Sequence, residues 1–157
     1  MAGRETPATR AAKAAGIEHA VHEYGHDPSA DSYALEAAEA LAIDAARVFK
    51  TLVVAADGGA GGLTVCIVPS DATLDLRAVG KRAAMAPTER AERVTGYVAG
   101  GISPLGQRRP LPTLVDDSAL AHVTVFVSAG RRGLELELAP DDLVALTRAQ
   151  VTRLRRT

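Results

Sequence analysis

The residue with the clearest chemical potential in this sequence is a lysine set among aliphatic neighbours. In Arg47-Val48-Phe49-Lys50-Thr51-Leu52-Val53-Val54-Ala55, strand alternation puts Val48, Lys50, Leu52 and Val54 on one face and Phe49, Thr51, Val53 and Ala55 on the other. An ammonium group is rarely buried without a partner, so Lys50 either snorkels out at the strand's edge or points into a polar cavity. The second such stretch is Gly96-Tyr97-Val98-Ala99-Gly100-Gly101-Ile102-Ser103-Pro104-Leu105-Gly106, in which four glycines and a proline punctuate an apolar segment. Glycine there serves either a structural bend or the close approach of a ligand to main-chain amides.

Conventional active sites find little support. No Gly-x-Ser-x-Gly elbow is present, and Ser103 precedes a proline instead of opening a helix. Cys66 lies inside an apolar run, where a small buried hydrophobe is expected and not a thiolate nucleophile. His19, His22 and His26 are close in sequence but lack the His-Glu-x-x-His spacing, and His122 stands apart, so no metal site is expected. The glycines of Asp57-Gly58-Gly59-Ala60-Gly61-Gly62 match neither a phosphate-binding loop nor a dinucleotide fingerprint. Nothing in this inventory names a protein nucleophile, and no cofactor is implied.

Composition narrows the class. With 157 residues, 47% hydrophobic and 24% charged, the chain is expected to form a single domain over residues 1–157. Aromatic residues are only 3% and tryptophan is absent, so Leu, Val, Ile and Ala build the core, with Phe49 and Phe126 as large anchors. So few aromatic platforms argue against a protein that stacks successive RNA bases. A net charge of -1 argues against non-specific nucleic-acid binding, although Arg108-Arg109, Arg131-Arg132 and the arginines from Arg148 to Arg156 form local basic clusters. The single Cys66 excludes an internal disulfide. No apolar run approaches the roughly 20 residues of a membrane span, nor does the N-terminus carry a signal peptide's apolar core; a soluble, cytoplasmic setting without membrane contact is expected.

The elements that must position these residues follow from capping and periodicity. Thr6-Pro7 opens a helix over Pro7 to Ala15 that ends at Gly16. His19 to Tyr24 reads as a short strand closed by Gly25-His26-Asp27-Pro28, and Asp31 or Ser32 caps a second helix with Leu35, Ala38, Leu41 and Ala42 as its apolar stripe. Val48–Ala56 and Leu63–Val68 are expected to pair as an antiparallel hairpin. Asp75 to Arg82 and Thr88 to Val94 read as two short helices. Pro112–Asp116, His122–Ser128 and Gly133–Leu138 read as strands, the last with Leu134, Leu136 and Leu138 inward and Glu135 and Glu137 outward, after a loop at Ala129-Gly130-Arg131-Arg132. Pro140-Asp141-Asp142 starts a terminal helix carrying Leu143, Leu146, Val151 and Leu154. Helices around strands in this irregular order give an α+β fold with a mostly antiparallel sheet.

Four blocks of the sequence also resemble a known family. Tyr24-Gly25-His26-Asp27-Pro28, Val48-Phe49-Lys50-Thr51-Leu52, Thr95 through Gly106, and Val127-Ser128-Ala129-Gly130-Arg131-Arg132-Gly133-Leu134 resemble, in order, the YbaK-like Cys-tRNA(Pro) deacylases, as do Thr6-Pro7-Ala8 and Leu74-Asp75-Leu76. The resemblance implies a mixed, barrel-like sheet wrapped by helices. It also implies a trans-editing hydrolase that removes a wrongly attached amino acid, chiefly cysteine, from proline tRNA. Lys50 matches the family's essential lysine and Thr51 its neighbour, while Tyr24, Gly100, Gly101 and Ser128 match pocket positions. Tyr33 stands where the family often has Phe, and Glu135 where the best-known members have Asp. Family precedent has the cysteine thiol of the substrate attack its own ester, which accounts for a sequence without a triad.

The implied partner is the acceptor end of tRNA(Pro). No base-reading motif is present, so identity would come from elsewhere, with prolyl-tRNA synthetase as the candidate source. Two other readings stay open: an editor of alanine or another small amino acid on the same tRNA, and a catalytically silent tRNA- or synthetase-binding module. Lys50 weighs against the second, because a binding module has little reason to set a lysine among aliphatics. Oligomeric state is not legible in the sequence.

Overall fold

The computed structural model describes residues 5–25, 32–57 and 62–156. Helix α1 (Pro7–Ala15) is fixed at its start by a reciprocal cap, in which the Thr6 hydroxyl accepts from the Thr9 amide and the Thr9 hydroxyl accepts from the Thr6 amide. Gly16, at φ 68°, ends it in the left-handed region. The helix buries Ala8 and Ala12, and the Thr6 hydroxyl donates to the Ala129 carbonyl.

The strands form two sheets. β1 (His19–Glu23) pairs antiparallel with β7 (Leu134–Leu138), which pairs antiparallel with β6 (Val125–Arg131). The second sheet runs β4 (Ala84–Met85), β2 (Phe49–Ala55), β3 (Leu63–Pro69), β5 (Thr113–Asp116) and β8 (Gln150–Thr152), in that spatial order. β2 and β3 are the expected antiparallel hairpin, whereas β3–β5 and β5–β8 are parallel. The main core lies between the sheets: Val125, Val127, Leu134, Leu136 and Leu138 from one meet Phe49, Val65, Ile67 and Val115 from the other. Among the described residues a single bridge, Val48 to Phe126, links the sheets, so the barrel is not closed.

Helix α2 (Tyr33–Ala40), capped by Ser32, covers the outer face of the three-stranded sheet. It does so through Ala37 and Ala38 against Val48 and Phe126, and the expected stripe residue Leu35 is 42% exposed. The small alanines let helix and sheet approach closely, which turns the bulkier leucine outward. This cover also changes Glu135: alternation puts it on the face away from the leucines, as expected, but that face is not solvent and Glu135 is buried.

Other departures have local causes. Asp75 to Arg82 is not a helix but one 3₁₀ turn at Leu76–Ala78, because the Asp75 amide is held by the Leu154 carbonyl and Gly80 interrupts the run. Asp117–Ala121 is also a 3₁₀ turn, ending at His122, so β6 starts at Val125, later than expected. β6 continues through a bulge to Arg131, and the turn is Arg132-Gly133 with Gly133 at φ 91°, so Ala129 and Gly130 belong to the strand. Helix α4 (Pro140–Thr147) stops at Arg148, and Val151 lies in β8 beside β5. Beyond it, Asp116 accepts from the Leu154 and Arg155 amides, which holds that segment out of the expected helix. Helix α3 (Thr88–Thr95) matches its expected span. The expected turn residues His26, Asp27 and Pro28, the alternative cap Asp31, and the middle of the Asp57–Gly62 loop lie outside the described residues. Among the described residues, no helix is long and apolar enough to cross a membrane.

Candidate active site

Four consecutive β2 residues, Phe49, Lys50, Thr51 and Leu52, line one cavity of about 460 Å³. Alternate residues of a strand point to opposite faces, so such a run can border one space only along an open edge. β2 supplies that edge: β4 pairs with it only at Val54 and Ala55, and the bridge to β6 is made at Val48. The cavity's size is that of a small-ligand site. Of the two readings of Lys50, edge and cavity, the fold combines them.

Seven of the eight candidate residues border this cavity: Tyr24 at the end of β1, Tyr33 at the start of α2, Lys50 and Thr51 in β2, Gly100, Ser128 in β6 and Glu135 in β7. Ser128 and Glu135 are cross-strand partners, so they share a face. Gly100 adopts φ 92°, and a Cβ there would lie 3.2 Å from the Tyr33 ring, so both the backbone and the ring contact require glycine. Gly101 does not border the cavity. It packs behind the wall, where a Cβ would stand 2.5 Å from the Arg131 Cα, and its amide donates to Val98. Its lack of a side chain serves the packing of the glycine loop on the β6–β7 hairpin.

The electrostatics of the cavity are set by burial. Glu135 is 6% exposed, and burial pushes its carboxyl up to about 8, which leaves it a neutral acid at pH 7. Among the described residues, no hydrogen bond reaches that carboxyl. Lys50 is half-buried; desolvation lowers its pKa, and the Asp71 carboxylate works in the opposite direction. The Tyr24 hydroxyl is pushed up to about 12 by burial and by the neighbouring Glu135, so it stays protonated. The Thr51 hydroxyl is buried with no hydrogen-bond partner among the described residues. A cation, a neutral acid and the hydroxyl-bearing Tyr24, Ser32, Tyr33, Thr51 and Ser128 thus line a space walled by Phe49, Leu52 and Ile102.

The rival nucleophiles and ligands are placed elsewhere. Cys66 is fully buried in a separate apolar cluster with Val54, Val68 and Leu154, and burial pushes its thiol up to about 12. Ser103 is fully buried and accepts from the Leu105 amide. His19 bonds the Ile17 carbonyl, His22 bonds Glu137 at 2.9 Å, and His122 meets the Phe49 ring edge-on. No group of three His, Cys, Asp or Glu among the described residues could hold a metal.

Sequence reasoning missed one part of the site. Arg132 bonds Glu36 through its Nε and one terminal nitrogen, at 3.3 and 3.2 Å, while its guanidinium lies 4.4 Å over the Tyr33 ring. Arg132 and Glu36 are 96 positions apart, and no local pattern pairs them.

Residues 27–146 match the model of the aminoacyl-tRNA editing domain. The chain belongs to this family. A relative from Enterococcus faecalis, named as the Cys-tRNA(Pro)/Cys-tRNA(Cys) deacylase EbsC, is 36% identical over 138 residues, covering 84% of this chain and 83% of its own. Among solved structures, one described as a trans-editing enzyme for prolyl tRNA synthetase superposes with a TM-score of 0.78 at 28% identity, covering 98% of this chain and 99% of the other. The hypothetical protein APE2540 gives a TM-score of 0.82 at 26% identity, with 96% and 100% coverage. The mixed-sheet α+β architecture is therefore that of the editing domains.

Proposed function

We propose that this chain, acting as one domain over residues 1–157, is a trans-editing hydrolase that deacylates Cys-tRNA(Pro) at its acceptor end in the cytoplasm. The observation that carries the reading is a half-buried lysine and a buried carboxyl group lining one cavity, with no activated protein nucleophile among the described residues that border it. Membership of the editing-domain family and the likeness to EbsC supply the substrate class.

An aminoacyl ester is already activated, so positioning and charge stabilisation suffice for its cleavage. In the proposed step the cysteine sulfur attacks its own carbonyl carbon. The new S–C bond replaces the ester C–O bond, whose electron pair leaves on the ribose oxygen together with the thiol's proton. The strained thiolactone then takes up water to give free cysteine. Lys50 donates to the developing oxyanion and favours the thiolate. Glu135, kept neutral, neither cancels that charge nor repels the sulfur. Tyr24, Thr51 and Ser128 offer hydroxyls to the amino acid and ribose, and Gly100 leaves room for them. Prolyl-tRNA synthetase is the partner that would supply tRNA identity, consistent with the likeness to a structure described as its trans-editing enzyme.

The test is a deacylation panel with Cys-, Ala-, Ser- and Pro-charged tRNA(Pro). Preferential loss of cysteine is expected. Preference for alanine would assign the chain to small-residue editing, and no hydrolysis of any ester would leave a binding module.

A further inference from the structure

We infer that Arg132, anchored by Glu36, is a positioning residue that holds the Tyr33 ring as the outer wall of the cavity and thereby limits the size of the aminoacyl group admitted. The inference rests on the editing reading above and concerns a pair, Arg132 and Glu36, outside the cavity's lining.

Tyr33 is the first residue of α2 and is 40% exposed, so packing of the helix does not by itself fix its ring. Two other elements do. The Arg132 guanidinium, from the β6–β7 turn, lies 4.4 Å over the ring, and the backbone of Gly100 lies beneath the ring's edge, with a would-be Cβ only 3.2 Å away. Arg132 is itself held, since two of its nitrogens converge on one Glu36 oxygen and both side chains are largely buried. Glu36 sits one turn after Tyr33 on α2, so a single cation ties the helix and its ring to the hairpin that carries Ser128 and Glu135. A planar, delocalised cation can stack and form a fork of hydrogen bonds at once, which lysine cannot. The ring therefore stands at a fixed distance from the opposite wall of a cavity it borders. Loosening it enlarges the space without touching Lys50 or Glu135.

Two readouts test this. The chain has no tryptophan, so Tyr33→Trp provides a single fluorescent reporter at the wall. Adding Arg132→Ala should raise its acrylamide quenching toward that of free tryptophan, whereas adding Arg109→Ala should not. In the second readout, inhibition of cysteinyl-tRNA(Pro) deacylation is compared for non-hydrolysable cysteinyl and leucyl amides of adenosine, since a leucyl ester carries no thiol to attack itself. Arg132→Ala, in a protein with unaltered melting, should lower the preference for the cysteinyl over the leucyl amide by about tenfold, the scale of discrimination that an apolar wall provides. Glu36→Gln should act in the same direction, and Arg132→Lys, which keeps a charge for Glu36 but loses the stack, should fall between. An unchanged preference, or an equal loss of affinity for both amides, overturns the inference while leaving editing intact. A wild-type protein inactive on every ester sinks the editing reading and the size filter with it, whatever the quenching shows.

Discussion

Glu135 and Asp116 are both buried carboxylic acids, at 6% and 0% exposure, yet they occupy opposite states. Asp116 accepts from the amides of Leu154 and Arg155 through one oxygen, and from the Ser118 amide, the Ser118 hydroxyl and the Arg155 guanidinium through the other. Burial alone would push its pKa up, but those bonds outweigh it and hold Asp116 below its ordinary 3.8. Glu135 has no such partners among the described residues, and burial raises it from 4.5 to about 8. The difference separates a group used by the fold from a group left for a ligand. Asp116 fastens the C-terminal segment to β5, whereas Glu135 shares its cavity with Lys50.

If that contrast holds, disabling each region should damage a different property. The largest expected effect is on stability: Asp116→Ala strips an acceptor from two backbone amides and a partner from Arg155, and should cost about 3 kcal/mol. Urea unfolding measures it, and a midpoint equal to wild type would break the comparison. Lys50→Ala should do the reverse, lowering single-turnover deacylation by about 10²–10³, as for loss of one oxyanion donor, with melting close to wild type. Near-normal turnover by the folded variant would remove Lys50 from the chemistry.

The two acids also predict opposite pH slopes. Glu135 binds its proton more tightly when folded, so its contribution is complete below about pH 4.5 and declines as pH rises toward 8. Asp116 is held ionised when folded, so its contribution is complete above about pH 3.8 and is lost as pH falls through its lowered pKa. Urea midpoints from pH 3 to 9 should therefore lose their decline between 4.5 and 8 in Glu135→Gln, and their acid-limb loss in Asp116→Asn. A Glu135→Gln profile that parallels wild type would show that Glu135 is not held neutral. The smallest effect is expected from Cys66→Ser, which places a hydroxyl in an apolar cluster: about 1–3 kcal/mol of stability is lost, with turnover kept. Loss of turnover in the folded variant would restore Cys66 as a nucleophile.

Much of this contrast was legible only where the deciding interactions are local. Thr6, Pro7 and Gly16 mark the ends of α1 because caps act within one turn, and the β2–β3 pairing follows from two apolar runs around a glycine-rich loop. Helix α4 was expected to reach Leu154, since nothing near Arg148 announces that Asp116, 38 positions before Leu154, captures the backbone beyond it. Alternation found the face of Glu135 but assumed that one side of a strand is solvent, and only the packing of α2 through Ala37 and Ala38 makes that side a cavity. The site itself was visible as sequence blocks because Lys50, Gly100 and Ser128 lie in compact motifs. The clamp of Arg132 on Glu36 and Tyr33 joins elements far apart in the chain and leaves no periodic trace.

In the proposed mechanism the cavity supplies charge and shape while the substrate supplies the nucleophile. Single-turnover hydrolysis of cysteine- and serine-charged tRNA(Pro) at saturating enzyme tests this most directly, because the two side chains differ by one atom and fill the cavity alike. A thiol ionises near pH 8.5 and is a strong nucleophile, whereas an unactivated hydroxyl at neutral pH is weak. The cysteinyl ester should be cleaved rapidly and the seryl ester at close to its uncatalysed rate, although both bind. Comparable saturating rates for the two esters would contradict substrate-thiol attack and assign the nucleophile to a water held near Lys50.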